Sequence, residues 1–164
     1  MKIDFANLQV QYQKYKDDID SHIHSVLNKS NYIMGEEVKQ LETELSKFTS
    51  TKHTITCSNG TDALLLALMA IDIQPGDEII TTPFTFISTA ETISLIKAKP
   101  IFVDIETDTF NIDANFIAAA ITDKTKAIMP VSLFGPPADI NAIQAVATQY
   151  NLYAIIDGAH RFGP

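Results

Sequence analysis

Basic residues and cysteine are both scarce in this 164-residue chain. Lys and Arg total 12 against 20 Asp and Glu, a formal net charge of -8. A polyanion such as DNA needs a basic surface, so the balance argues against a nucleic-acid partner. A local phosphate site survives that argument, because backbone N–H groups can build one without net positive charge. Cys57 is the single cysteine, which excludes an intrachain disulfide and a zinc cluster. With no activating His beside it, Cys57 reads as a small buried hydrophobe. The start, MKIDFANLQVQY, has no apolar signal core. The longest apolar run, Ala63 to Ile71, falls short of the about 20 residues that span a bilayer. There is no glycine-rich dinucleotide fingerprint and no P-loop. What is present is an ordinary globular balance, 46% hydrophobic and 20% charged. A cytoplasmic α/β protein is expected, either one domain or a piece of a larger one.

Apolar spacing predicts helices over residues 9–30 and 36–48, with Asn31 to Gly35 breaking them apart. Glu36 and Glu37 sit where the dipole of the second helix favours acids. Residues 53–57 read as a short strand, and Asp62 to Ile71 as a helix apolar on nearly all sides. Pro75-Gly76-Asp77 is a turn signal. Strands are then predicted at 78–82, 100–105, 127–133 and 153–157, alternating with helices at 87–98, 113–121 and 140–150. Such alternation implies βαβ units and a mostly parallel sheet. IFVDI, AIMPVS and YAIID are near-continuous apolar runs, as strands covered on both faces require.

Ligands of open parallel sheets sit at the carboxyl ends of the strands, and three segments fall there. Ser58-Asn59-Gly60-Thr61 precedes a buried helix, where free N–H groups and the dipole can cradle a phosphate. An ordinary helix N-cap explains the same residues. Thr82-Pro83-Phe84-Thr85-Phe86 carries two aromatics that could stack on a planar ring or simply fill the core. Asp157 ends an apolar strand, where an acid is costly without a cationic partner such as a protonated ring nitrogen. It could instead be a loop acid capping a helix. His22 and His24 lie on different faces of one helix, so no metal is expected there. Gly135-Pro136-Pro137 reads as a rigid loop.

A phosphate cradle, an aromatic and a strand-end acid, in that order, suit a pyridoxal phosphate site. The sequence also resembles the DegT/DnrJ/EryC1/StrS family of sugar aminotransferases. The markers are Tyr32 to Gly35 with Val38, Leu41 and Glu42; Ser58 to Leu64; Pro75 to Glu78; Phe84 to Glu91; Pro100 to Asp104; Pro130 to Gly135 with Ala138 and Asp139; and Asp157 to His160 with Phe162 and Gly163. Each is weak alone; together and in order they are specific. The likeness is greatest to enzymes that aminate UDP-2-acetamido-2-deoxy-3-oxo-hexuronic acids for O-antigen synthesis.

The resemblance implies an aspartate aminotransferase-like (fold type I) large domain, truncated, over residues 35–164, preceded by a helical arm over 1–34. It implies pyridoxal 5'-phosphate as cofactor, a nucleotide-linked keto sugar and an amino acid donor such as glutamate as substrates, and a homodimer. Gly60 and Thr61 would hold the phosphate, Phe86 would stack on the pyridine ring, and Asp157 would pair with its nitrogen. His160 fills a position near the ring hydroxyl. Gly158, Arg161 and Pro164 depart from the family pattern, Arg161 most unexpectedly. The family's Schiff-base lysine falls beyond Pro164, so no catalytic residue is expected in this chain, which would be inactive alone. Lys97, Lys99, Lys124 and Lys126 sit away from the site edge. Two alternatives remain open: a sugar dehydratase of the same fold, which carries His in place of that lysine, and a non-catalytic remnant.

Overall fold

The first three helices are amphipathic rather than buried, and each ends for a local reason. The computed structural model describes residues 7–161; the Phe162 and Gly163 markers and Pro164 lie outside the described residues. The chain divides between Thr56 and Cys57 into two compact units. In the first, α1 (Leu8–Lys14) starts at Asn7, whose side chain accepts from the Val10 N–H, and α2 (Lys16–Lys29) follows. The single helix predicted over 9–30 is thus two. Tyr15 leaves helical geometry at φ -115°, ψ 18°, and its N–H reaches the carbonyl of Tyr12 as well as that of Gln11, tightening the turn. Ser30 closes α2 in the left-handed region, and Ser50 closes α3 (Glu36–Thr49) the same way. The strand predicted at 53–57 does not form. Both the N–H and the hydroxyl of Thr56 donate to Glu42 Oε1, at 2.9 and 2.8 Å, so a carboxylate takes the place of a strand ladder.

The second unit is the predicted alternation. Its strands are β1 (Glu78–Thr81), β2 (Lys99–Phe102), β3 (Thr125–Ile128) and β4 (Tyr153–Ala154). Its helices are α4 (Gly60–Ala70), α5 (Ile87–Leu95), α6 (Ala114–Ala120) and α7 (Ile140–Gln149). All pairings are parallel, in the order β2-β1-β3-β4. The continuous apolar strands are explained by the two faces of the sheet. Ile79 and Ala127 pack into one cluster with Leu64 and Leu68 of α4 and Ile93 of α5. The adjacent residues Ile80 and Ile128 pack into a second cluster with Ile117 of α6 and Ile143 of α7. Successive side chains point to opposite faces, so both positions must be apolar. The edge strand β2 departs from the expectation of cover on both faces, with Phe102 exposed.

β3 and β4 are shorter than predicted. Pro130 has no N–H to give a ladder, and pairing resumes beyond it as one parallel bridge between Val131 and Asp157. There Pro130 O accepts from the Asp157 N–H at 2.9 Å, and Asp157 O accepts from the Ser132 N–H at 3.0 Å. The turn before β1 needs Gly76, whose φ of 92° disfavours any side chain. Cys57 corrects its expected burial: it is exposed, with Sγ 3.2 Å from the Asn59 carbonyl. Among the described residues no helix is long and apolar enough to cross a membrane.

Glu78 opens β1 as a buried acid. Its Oε2 accepts from the Thr122 hydroxyl at 2.6 Å, and Lys99 Nζ lies 3.5 Å from Oε1. The hydrogen bond from Thr122, and then Lys99, hold its carboxyl below the usual glutamate value. A depressed pKa adds stability that is complete above the unfolded value, about 4.3, and is lost as pH falls through the folded one. Glu78→Gln should therefore flatten part of the acid limb of stability, read as urea midpoints at neutral pH and near pH 3. Identical pH dependence in the two proteins would show that the carboxylate contributes nothing there.

Candidate functional site

The order of the strands makes one crevice. The chain runs from β1 to β2 on one side, then crosses to β3 on the other, so β1 and β3 flank a topological switch point. Connections leave the sheet in opposite directions there, opening a space at the carboxyl ends. The segments that emerge are those after β1, β3 and β4, and the N-terminus of α4 faces them. A cavity of about 250 Å³ lies at this edge. Gly60, Thr61, Phe86, Asp157 and His160 all line it.

The first turn of α4, which lines the cavity, is partly capped. The Asn59 side chain accepts from the Asp62 N–H at 2.9 Å, so the capping explanation holds for Asn59. The Gly60 and Thr61 N–H groups, earlier in the turn, take no acceptor among the described residues. They keep the donor capacity and positive dipole end that suit an anion. Ser58 is turned to other work: its hydroxyl bonds the Asp62 carboxylate, and it does not line the cavity. A Cβ at Gly60 would meet nothing nearer than Ala159 Cβ at 3.9 Å, so the position depends on its N–H and not on lack of a side chain.

Asp157, also on the cavity wall, is 6% exposed. Its Oδ2 accepts from Thr89 Oγ1 at 2.9 Å, and its Oδ1 from the Ala159 N–H at 3.3 Å. Since Thr89 gives its one proton to Asp157, the 2.9 Å contact between Thr85 and Thr89 has the Thr85 hydroxyl as donor. The chain Thr85 to Thr89 to Asp157 fixes the carboxylate from α5, one face across. Sequence reasoning missed Thr85 and Thr89, although their spacing of four at a helix start was a usable signal. It also missed Ser88, whose hydroxyl is 2.8 Å from that of Thr61, and Ser132.

The two aromatics after β1 part company. Phe86 lines the cavity and is 65% exposed, so it is not core. Phe84 joins Phe110 and Phe134, with ring centroids 5.6 to 6.1 Å apart within the trio. His160 is fixed by its Nδ1, 3.0 Å from the Leu133 carbonyl. A carbonyl only accepts, so Nδ1 carries a proton and Nε2 is the free acceptor of the neutral ring. Arg161 does not line the cavity; its N–H donates to Gly158 O at 2.8 Å. A Cβ at Gly158 would meet only Arg161 O, at 3.9 Å, so glycine and alanine fit there alike. Among the described residues no lysine lines the cavity. Lys99 and Lys126 are in β2 and β3, and Lys124 just precedes β3, toward the amino ends of the strands.

Known proteins match most of the chain in sequence and fold. A model of the DegT/DnrJ/EryC1/StrS aminotransferase family matches residues 13–164. UDP-2-acetamido-2-deoxy-3-oxo-D-glucuronate aminotransferase of Pseudomonas aeruginosa is 48% identical over 98% of this chain and 45% of its own length. A DegT DnrJ EryC1 StrS aminotransferase from Brucella abortus superposes with TM-score 0.94 at 36% identity, over 98% of this chain and 45% of that one. NtdA from Bacillus subtilis, solved with bound cofactor PMP, gives TM-score 0.89 at 35% identity, over 92% of this chain and 34% of that one. The chain thus spans less than half the length of the relatives it matches. Its sheet is part of a fold type I transferase domain, and the chain belongs to the DegT/DnrJ/EryC1/StrS aminotransferase family.

Proposed function

We propose that the cavity is the pyridoxal phosphate site of a nucleotide-sugar aminotransferase. One observation carries the reading: a buried carboxylate and unaccepted helix N–H groups line the same cavity. That pairing fits the cofactor, which presents a phosphate at one end and a basic ring nitrogen at the other. The bound cofactor of NtdA supports the choice. The relative from P. aeruginosa supports a UDP-linked 3-keto-hexuronic acid as substrate; an amino acid such as glutamate as donor, and a place in surface polysaccharide synthesis, complete the proposal.

The residues divide the work by position. The Gly60 and Thr61 N–H groups bind the phosphate, with the dipole of α4 behind them. The Phe86 ring covers one face of the pyridine. Asp157 holds a proton on the ring nitrogen, and Thr89 aims its carboxylate. His160 offers Nε2 to the ring hydroxyl. When bound, pyridoxal phosphate supplies an electron sink for the charge that develops at the substrate carbon. The amine that would anchor it is not among the described residues that line the cavity. The working protein is proposed to be a homodimer.

Asp157→Ala should weaken pyridoxal phosphate binding about 10- to 150-fold, the worth of a hydrogen bond to a charged group. Equilibrium titration followed by cofactor absorbance measures it, and unchanged affinity would remove Asp157 from the site. Phe86→Ala should cost about 0.5–1.5 kcal/mol of cofactor affinity through lost stacking. Because Phe86 is exposed, the same variant should leave the thermal midpoint of the cofactor-free protein nearly unchanged. A fall in that midpoint with full affinity would make Phe86 a packing residue.

A further inference from the structure

Adjacent residues of α5 serve different partners. Thr89 donates to Asp157, while the hydroxyl of Ser88 lies 2.8 Å from that of Thr61 on α4. Ser88 is 7% exposed, and among the described residues its hydroxyl has one partner, that of Thr61. Both residues are on the cavity wall. Each is the second residue of its helix, α4 starting at Gly60 and α5 at Ile87. The Cα–Cβ bonds of a helix tilt toward its N-terminus. The Thr61 side chain therefore leans the way the unaccepted Gly60 and Thr61 N–H groups point. The two hydroxyls carry two protons and use one on each other. Taken by themselves, either oxygen can be the donor. A dianionic phosphate removes that freedom, because it only accepts: Thr61 then gives its proton to the anion, and Ser88 gives its own to Thr61. A hydroxyl that accepts one hydrogen bond is polarised and donates the next more strongly.

We propose that Ser88 is a positioning residue for the cofactor's phosphate, acting through Thr61: its hydroxyl turns the Thr61 proton toward the anion, beside the Gly60 and Thr61 N–H groups. The proposal rests on the reading of the cavity as a pyridoxal phosphate site. It gives α5, which holds Asp157 through Thr89, a second task at the first turn of α4.

The test compares wild type, Ser88→Ala, Thr61→Val and the double variant in the full-length protein. Pyridoxal phosphate is titrated by absorbance, as is pyridoxal, which lacks the phosphate group, and inorganic phosphate is titrated as a competitor. Ser88→Ala should bind pyridoxal phosphate and inorganic phosphate about twofold to tenfold more weakly, the range of one net neutral hydrogen bond. Its affinity for pyridoxal should equal that of wild type. Adding Ser88→Ala to Thr61→Val should cost nothing further, because residues that act through one contact are not additive. Equal phosphate affinity in wild type and Ser88→Ala overturns the proposal. An equal loss for pyridoxal overturns it in favour of a packing role. A loss in the Thr61→Val background as large as in wild type overturns it too, since Ser88 would then act without Thr61. Failure of the wild type itself to bind pyridoxal phosphate would sink the cofactor reading, and this proposal with it.

Discussion

A carboxylate removed from water at the end of a parallel sheet is the constraint from which the rest of this molecule can be understood. A buried carboxyl group there needs hydrogen-bond partners, because burying an unmet polar group is costly. The fold meets the demand from two directions. The bridge between Val131 and Asp157 holds the backbone in register after Pro130 has interrupted β3. Thr89, on α5, donates to the carboxylate and is itself held by Thr85. Removing either support would leave the acid in place but misdirected. This is why residues of α5, which do not belong to the strand that carries Asp157, matter to the site.

The same sheet supplies the opposite polarity. The reversal of strand order between β1 and β3 opens the crevice, and α4 presents its first turn to it. Apolar residues on both faces of β1 and β3 make the frame rigid, since each strand is clamped between two helix layers. A site built on such strand ends is held more closely than one built on a free loop. The acidic net charge is no obstacle to the proposed phosphate binding, because main-chain N–H groups can provide local positive potential.

The α/β class and the parallel sheet were legible because each buried strand is apolar at successive positions while each helix shows its own period. The family was legible because its markers recur in order from Tyr32 onward. The strand ends and the helix start were legible as places where a ligand could sit, the choice of Gly60, Thr61, Phe86, Asp157 and His160 came from the family resemblance, and one cavity is lined by all five. What was not legible depended on contacts between distant residues. Residues 53–57 have strand-like composition, yet Glu42 captures Thr56. The break at Tyr15 is a change of hydrogen-bond partner within a sequence of unbroken helical spacing. Cys57 has the composition of a core residue but an exposed position. Thr89 and Ser132 look like ordinary strand-end and helix residues until the sheet brings Asp157 beside them.

The most direct measurement is a crystal structure of the protein grown with pyridoxamine phosphate. The account requires the phosphate oxygens within hydrogen-bond distance of the Gly60 and Thr61 N–H groups, the ring beside Phe86, and the ring nitrogen on Asp157. A cofactor bound in the reverse sense, with its phosphate toward Asp157, or bound outside this crevice altogether, would contradict it.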